Sequence, residues 1–201
     1  MRTDDGFDGI ADAVREHGWQ VVPAFLSPAA VSALAADCRA RDAAGELAAA
    51  ATGRAQGRAL SELRGDRTRW FDETALSPAQ RLYWDAMQAL RQALNRRLLL
   101  GLETLEAHYA LYPPGTGYAR HRDRFRDSDA RVLSSVLYLN RDWRPDDGGA
   151  LRLHLPDGPH DVAPLGGTLA LFLSADVEHE VLPATRERMS IAGWFRRREA
   201  A

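Results

Sequence analysis

The spacing of apolar residues changes near Glu103, and that change limits the fold more than any other feature of the chain. Before it, apolar positions recur at helical intervals. After it come short segments of strand character, Glu103 to Tyr112, Arg131 to Leu139, Ala150 to Leu155, Thr168 to Leu173 and Met189 to Phe195. They are separated by turns at Pro113-Pro114-Gly115, Asp146-Asp147-Gly148-Gly149, Pro156-Asp157-Gly158 and Gly166-Gly167. Short strands in succession predict a sandwich or barrel and argue against a doubly wound parallel sheet.

The first hundred residues read as helical. Asp8 to His17 has apolar residues at helical spacing, and Ser27-Pro28 supplies a side-chain cap followed by proline at the first helical position, predicting a helix to about Arg41. Ser77-Pro78 repeats that signal. The segment that follows, to about Leu99, sets Leu82, Met87, Leu90, Leu94 and Leu98 near one face, as a helix packed on a sheet requires. Between these helices, Ala43 to Ser61 is rich in Ala and Gly with little periodicity, which predicts a mobile connection of the kind that often covers a site. No internal repeat is visible. A chain of 201 residues is read as one domain, with 1–100 as helical support and substrate-loop region and 101–198 as a β core.

Composition removes several classes of function. A formal charge of −2 gives no reason to expect a nucleic-acid or membrane partner. All 26 basic residues are Arg, so Schiff-base chemistry and the lysine grip of a P-loop are absent. The single cysteine, Cys38, falls in an Ala-rich helical pattern and reads as a buried thiol in a reducing compartment. No apolar run approaches membrane-spanning length, and the start MRTDDGFDGI is acidic where a signal peptide would be basic and then apolar. These features predict a cytoplasmic protein, with a monomer favoured.

Chemistry enters at His121-Arg122-Asp123. In an extended segment residues i and i+2 share a face, so an imidazole and a carboxylate can bind one metal together. Alone, such a triplet is more often a surface polar cluster. His179, in Glu178-His179-Glu180-Val181 after the apolar run Leu169 to Leu173, is the best third ligand. Two neutral imidazoles and one carboxylate on one face of an ion leave the opposite positions open, the arrangement of non-haem iron(II) that activates oxygen; the same ligands could hold zinc. An anchor for a second, organic ligand separates the two cases. Arg188 opens the alternating strand Arg188-Met189-Ser190-Ile191-Ala192-Gly193-Trp194-Phe195, with Ser190, Ala192 and Trp194 on its face. A guanidinium there is costly to bury unless it meets an anion, and it can grip a carboxylate through two parallel hydrogen bonds with Ser190 beside it. The plainer alternative makes Arg188 part of the solvated basic end Arg196-Arg197-Arg198. Tyr138 reads either as core packing or as a second donor to the same carboxylate. His108, Ala110 and Tyr112 share one face of their strand; packing in the pocket wall or supporting a ligand from behind suits His108 better than serving as a fourth metal ligand.

Together these segments resemble the prolyl hydroxylases of the oxygen-sensing type and their bacterial relatives. The likeness is carried by Tyr112 to Asp123, Val136 to Trp143, Gly148 to Arg152, His179-Glu180-Val181, Arg188, and Leu63 to Trp70. The resemblance implies a mainly β fold, a double-stranded β-helix (jelly roll, cupin-like), backed by the N-terminal helices. It implies iron(II) held by His121, Asp123 and His179, with 2-oxoglutarate and dioxygen as cosubstrates and ascorbate as an accessory. Arg188 and Tyr138 match the residues that bind the far carboxylate of 2-oxoglutarate. Tyr112, Ser190, Trp194 and Val181 match the rest of the pocket, while Asp66 matches a residue that orders water or cosubstrate near the metal. The segment Ala43 to Ser61 matches one that folds over a protein substrate. Departures lie at the basic loop after Asp123 (Arg124, Arg126) and at Ala192, where the animal oxygen sensors carry a hydroxyl residue. The implied reaction is hydroxylation of a prolyl residue in a protein, a translation factor among the candidates, coupled to decarboxylation of 2-oxoglutarate to succinate. Two alternatives stand beside it: a hydroxylase of a free amino acid or other small molecule, and a non-catalytic sensor of metal or 2-oxoglutarate. The arginines at 120, 122, 124, 126 and 131 form either a positive rim, partly offset by Asp127 and Asp129, or a solvated loop.

Overall fold

The structure, a computed structural model, describes residues 5–50, 64–123 and 129–198. Among the described residues three α-helices precede most of the strands: α1, Asp5–His17; α2, Pro28–Ala43; and α3, Pro78–Leu98. The caps act as the sequence predicts. The Ser27 hydroxyl accepts from the Ala30 amide, and Ser77 forms a reciprocal capping box with Gln80.

Strands β1 (Trp19–Val22), β2 (Ala48–Ala49), β3 (Arg67–Trp70), β4 (Thr104–Tyr112), β6 (Arg131–Tyr138), β9 (Leu169–Leu173) and β11 (Arg188–Arg196) form the larger sheet. Their order is β1-β9-β6-β11-β4-β3-β2. Strands β5 (Tyr118–His121), β7 (Leu151–Leu155), β8 (Gly158–Val162) and β10 (Glu178–Val181) form the smaller one, in the order β5-β10-β7-β8. Among the described residues, neighbouring strands within these sheets pair antiparallel. The result is the double-stranded β-helix backed by helices that the sequence implied.

Strict alternation in the larger sheet gives the molecule two apolar cores. Leu105, Tyr109, Leu111, Leu133, Leu137, Leu169, Leu171, Met189, Ile191 and Phe195 face the helices and pack with Leu34, Met87, Leu90 and Leu94. Ala110, Tyr112, Tyr138, Ala170 and Phe172 face the smaller sheet and meet Leu151, Leu153, Val162 and Val181. Complete burial of one large apolar side chain contributes about 1.5–3 kcal/mol, so the first set fixes the helices firmly and leaves the second free to line a cavity.

Helix α3 turns slightly away from the expected face. Its buried residues are Gln80, Tyr83, Trp84, Met87, Leu90, Ala93 and Leu94, whereas Leu82 is 48% exposed. Leu82 stands five residues before Met87, about 140° away around the helix, so Tyr83 and Trp84 occupy the buried positions instead. The connection expected from Ala43 to Ser61 is described only through residue 50; it continues from α2 into the two-residue β2, with Leu47 buried in the helix-side core. Residues 51–63, Leu63 among them, lie outside the described residues, as do Arg124, Arg126 and Asp127. Among the described residues no helix is long and apolar enough to cross a membrane.

Candidate metal centre and anion pocket

His121 and His179 stand directly opposite each other in the β5–β10 ladder, with ring centroids 4.3 Å apart. Asp123 follows two residues later on a bend, not in the strand itself. Its Oδ1 lies 3.5 Å from His121 Nε2 and its Oδ2 3.5 Å from His179 Nε2. One donor atom from each residue falls within 4.8 Å of the others, close enough to surround one ion.

The surroundings prepare these atoms for a cation. His121 Nδ1 donates to the Ala119 carbonyl at 2.8 Å and His179 Nδ1 to the Val177 carbonyl at 3.2 Å, so in each neutral ring Nε2 carries the lone pair that faces the cluster. Burial depresses the pKa of His179, which favours that neutral, ligating form. Burial alone would raise Asp123, but His179, His121 and the Ser134 hydroxyl outweigh it and keep the carboxylate ionised well below the usual range. Tyr118 stacks flat on His121, 3.7 Å between centroids and 19° between planes, and the Arg64 guanidinium lies 4.8 Å from the centre of the Tyr118 ring.

Arg188 belongs to the other sheet, where it opens β11 opposite Tyr112 of β4. It is 1% exposed, so the reading that dissolved it in the basic end is wrong. Its Nε donates to the Gly149 carbonyl at 2.8 Å and Nη1 to Ser190 Oγ at 3.3 Å, while Nη2 has no hydrogen-bond partner among the described residues. The buried Tyr138 hydroxyl is likewise without one. The guanidinium carbon lies 5.2 Å from the Tyr112 ring centre and 5.3 Å from that of Tyr138. Burial raises the Tyr138 pKa to about 12 against the opposing pull of Arg188, so the phenol keeps its proton and can donate it. A buried cation with a free N–H beside a free hydroxyl is what a carboxylate would complete. The metal cluster and this anion pocket share one lining, because Phe172 packs 4.6 Å from the His179 ring and belongs with Tyr112, Tyr138 and Val181 to the inner core.

Comparison with known proteins agrees with this chemistry. Residues 107–196 match the model of the 2OG-Fe(II) oxygenase superfamily, named for iron(II) and 2-oxoglutarate. A crystal structure of a Pseudomonas putida prolyl-4-hydroxylase is 51% identical, with a TM-score of 0.87 over 96% of this chain and 99% of that one. The chain belongs to the 2OG-Fe(II) oxygenase superfamily. Human Egl nine homolog 1 is 29% identical over 196 residues, and this oxygenase spans 45% of that protein's length. A Trichoplax adhaerens prolyl hydroxylase, solved with a hypoxia inducible factor oxygen degradation domain peptide, shares the fold at 23% identity, with a TM-score of 0.88 over 96% of this chain and 90% of that one.

Within the oxygenase the remaining expected residues divide. Trp194 faces inward on β11, its ring 5.5 Å from His108 and 5.8 Å from the half-exposed Trp70, with the Arg131 guanidinium 3.8 Å from its centre. Asp66 is buried, but both its oxygens are taken by Arg64, at 2.6 and 3.0 Å, and among the described residues nothing links it directly to the triad. His108 is no fourth ligand: its Nδ1 donates to the Tyr109 carbonyl at 2.9 Å, and Arg64 Nη2 lies 3.4 Å from its Nε2. The positive rim is largely neutralised where it is described. Arg120 donates to Glu178, Arg122 lies 4.0 Å from the same carboxylate, and Arg131 pairs with Glu106 at 2.7 Å. Sequence reasoning gave no role to Ser134, Ser174 or the Gly149 carbonyl. The signal for Gly149 was the Gly148-Gly149 turn, whose second residue has φ of +70° and leaves no room for a Cβ against Ala184, Trp143 and Arg188.

Proposed function

We propose that this protein hydroxylates a prolyl residue of a protein substrate, using iron(II) bound by His121, Asp123 and His179. The observation that carries the reading is the unpartnered N–H of buried Arg188 beside the unpartnered Tyr138 hydroxyl on the larger sheet, across the inner core from the His-Asp-His cluster borne mainly by the smaller sheet. A structural zinc site gives no use for such a pair. The far carboxylate of 2-oxoglutarate accepts from Arg188 and Tyr138, with Ser190 holding the guanidinium and Tyr112 and Val181 forming apolar walls. Bound iron, with 2-oxoglutarate and dioxygen, supplies the oxidising power that adds one oxygen atom to a C–H bond while the keto acid becomes succinate and carbon dioxide. The chain's own residues present three ligand atoms on one side, aim the cosubstrate, and keep the cavity dry.

The prolyl substrate is supported by relatives that carry that name and by the aromatic wall of Trp70, Trp194 and His108, a surface suited to a saturated ring. A groove of about 360 Å³, open to solvent and lined by Gly65, Thr116, Tyr118 and Val181 among others, borders the ligand-bearing strands and suits an extended segment better than a small metabolite. We take the chain to work as one oxygenase domain in the cytoplasm, the helices stiffening the larger sheet. The test is iron-loaded protein incubated with 2-oxoglutarate and cell lysate, read by succinate release and by mass spectrometry for prolyl residues that gain one oxygen. His179→Ala abolishes both signals; succinate release at the wild-type rate in that variant would refute the assignment.

A further inference from the structure

We propose that Ser134, itself held by Ser174, is a positioning residue that decides which oxygen of Asp123 meets the metal. The inference rests on the reading of His121, Asp123 and His179 as metal ligands. Ser134 faces inward on β6, opposite Trp194 of β11 and Phe172 of β9, and is 1% exposed; Ser174, just beyond β9, is fully buried. Ser134 Oγ lies 2.7 Å from Asp123 Oδ2 and 2.8 Å from Ser174 Oγ.

A hydroxyl has one proton to give, and an ionised carboxylate can only accept. The proton of Ser134 therefore goes to Asp123, and the proton between the two serines belongs to Ser174. The chain of donation runs from Ser174 to Ser134 to Asp123 Oδ2. Both carboxylate oxygens sit 3.5 Å from a ligand imidazole, so Ser134 is what makes them unequal. Oδ2 spends a lone pair on a buried, charge-assisted bond, which leaves Oδ1 the better ligand. Binding through one oxygen keeps three positions of an octahedral ion open, and binding through both would leave two. A chelating keto acid and dioxygen together need three. Asp123 needs such help because it stands on a bend beyond the end of β5, where no ladder of backbone bonds fixes its side chain.

The experiment measures Mn(II) affinity, by electron paramagnetic resonance of the free ion, in wild type, Ser134→Ala, Ser134→Thr, Ser174→Ala and the double alanine variant. No turnover is needed. Ser134→Ala should weaken Mn(II) by about tenfold, the lower end for loss of a group that orients a ligand. Ser134→Thr, which keeps the hydroxyl, should restore affinity to within about twofold, and Ser174→Ala should cost about two- to threefold. The double variant should match Ser134→Ala, because Ser174 acts only through Ser134. Wild-type affinity in Ser134→Ala, or losses that add in the double variant, would overturn the proposal. If Ser134→Ala does not fold, wild-type affinity in Ser174→Ala overturns it equally. Failure of the wild-type protein to bind Mn(II) would instead strike at the ligand assignment itself.

Discussion

Arg188 and His108 are both buried and both basic, and the fold treats them oppositely. Arg188 keeps its charge and one unsatisfied N–H, so an anion completes it. Replacing it with Met preserves the packing on Tyr112 and Tyr138 but removes the charge-assisted bonds, and 2-oxoglutarate affinity measured by calorimetry with Mn(II) should fall about 10- to 100-fold; unchanged affinity would show that the carboxylate binds elsewhere. His108 is instead held neutral, its pKa pushed down from 6.5 to about 4 by burial and then by Arg64. A lowered folded-state value means that the unfolded chain binds the proton more readily. The stabilisation is therefore present above 6.5 and is lost as pH falls towards 4, with a ceiling on the order of 3 kcal/mol. Thermal melts of wild type and His108→Leu should diverge in slope across that window, and parallel curves would contradict the shift. At this scale the sequence was most legible where residues act by type. His121, Asp123, His179 and Arg188 announce themselves through spacing and likeness. Ser134 does not, since an inward serine reads as ordinary strand filling and its partners stand 11 and 40 residues away.

Helix α3 and the edge strand β5 show how elements carry the site. The prediction for α3 concerns its rotation: Met87→Ala should cost about 2–5 kcal/mol in urea unfolding, whereas Leu82→Gln should change stability by less than about 0.5 kcal/mol. Equal costs would place the buried face where the sequence had put it. Strand β5 works by close approach. A side chain on Gly117 would come within 2.3 Å of the Val181 carbonyl oxygen, so only glycine lets the chain enter β5 tightly enough to set His121 against His179. The strands β4, β6, β7, β9 and β11 were read within a residue or so, because β4, β6 and β11 are long and carry an apolar helix-facing row, while β7 and β9 are short but rich in Leu. Strands β1, β2, β3, β5, β8 and β10 went unread. Each has five residues or fewer, none carries the Leu-rich run that marks β7 and β9, and β3 and β8 are mostly polar or exposed, so the period-two signal never accumulates.

The two cores are separated by the larger sheet, and stability and binding separate with them. Most of the buried apolar residues lie on the helix side, away from the metal ligands, so removing metal should not unfold the protein. Far-UV circular dichroism should stay unchanged after chelation, while Mn(II) at about one hundred times its dissociation constant should raise the melting temperature by about 5–10 °C through mass action. Loss of the dichroism on chelation would mean that the ion is part of the folding core. The overall architecture was legible from the break in periodicity at Glu103 and the family likeness. The charge of the cleft's rim was not, because residues far apart in sequence, such as Arg120 and Glu178, cancel each other only once the chain is folded. The division of labour across one sheet also bears on descent. Alternate residues of β4, β6, β9 and β11 answer to different demands, so a lineage can recut the chamber for a new target while its neighbours one position along go on securing the scaffold, and catalytic novelty need not be purchased with fragility.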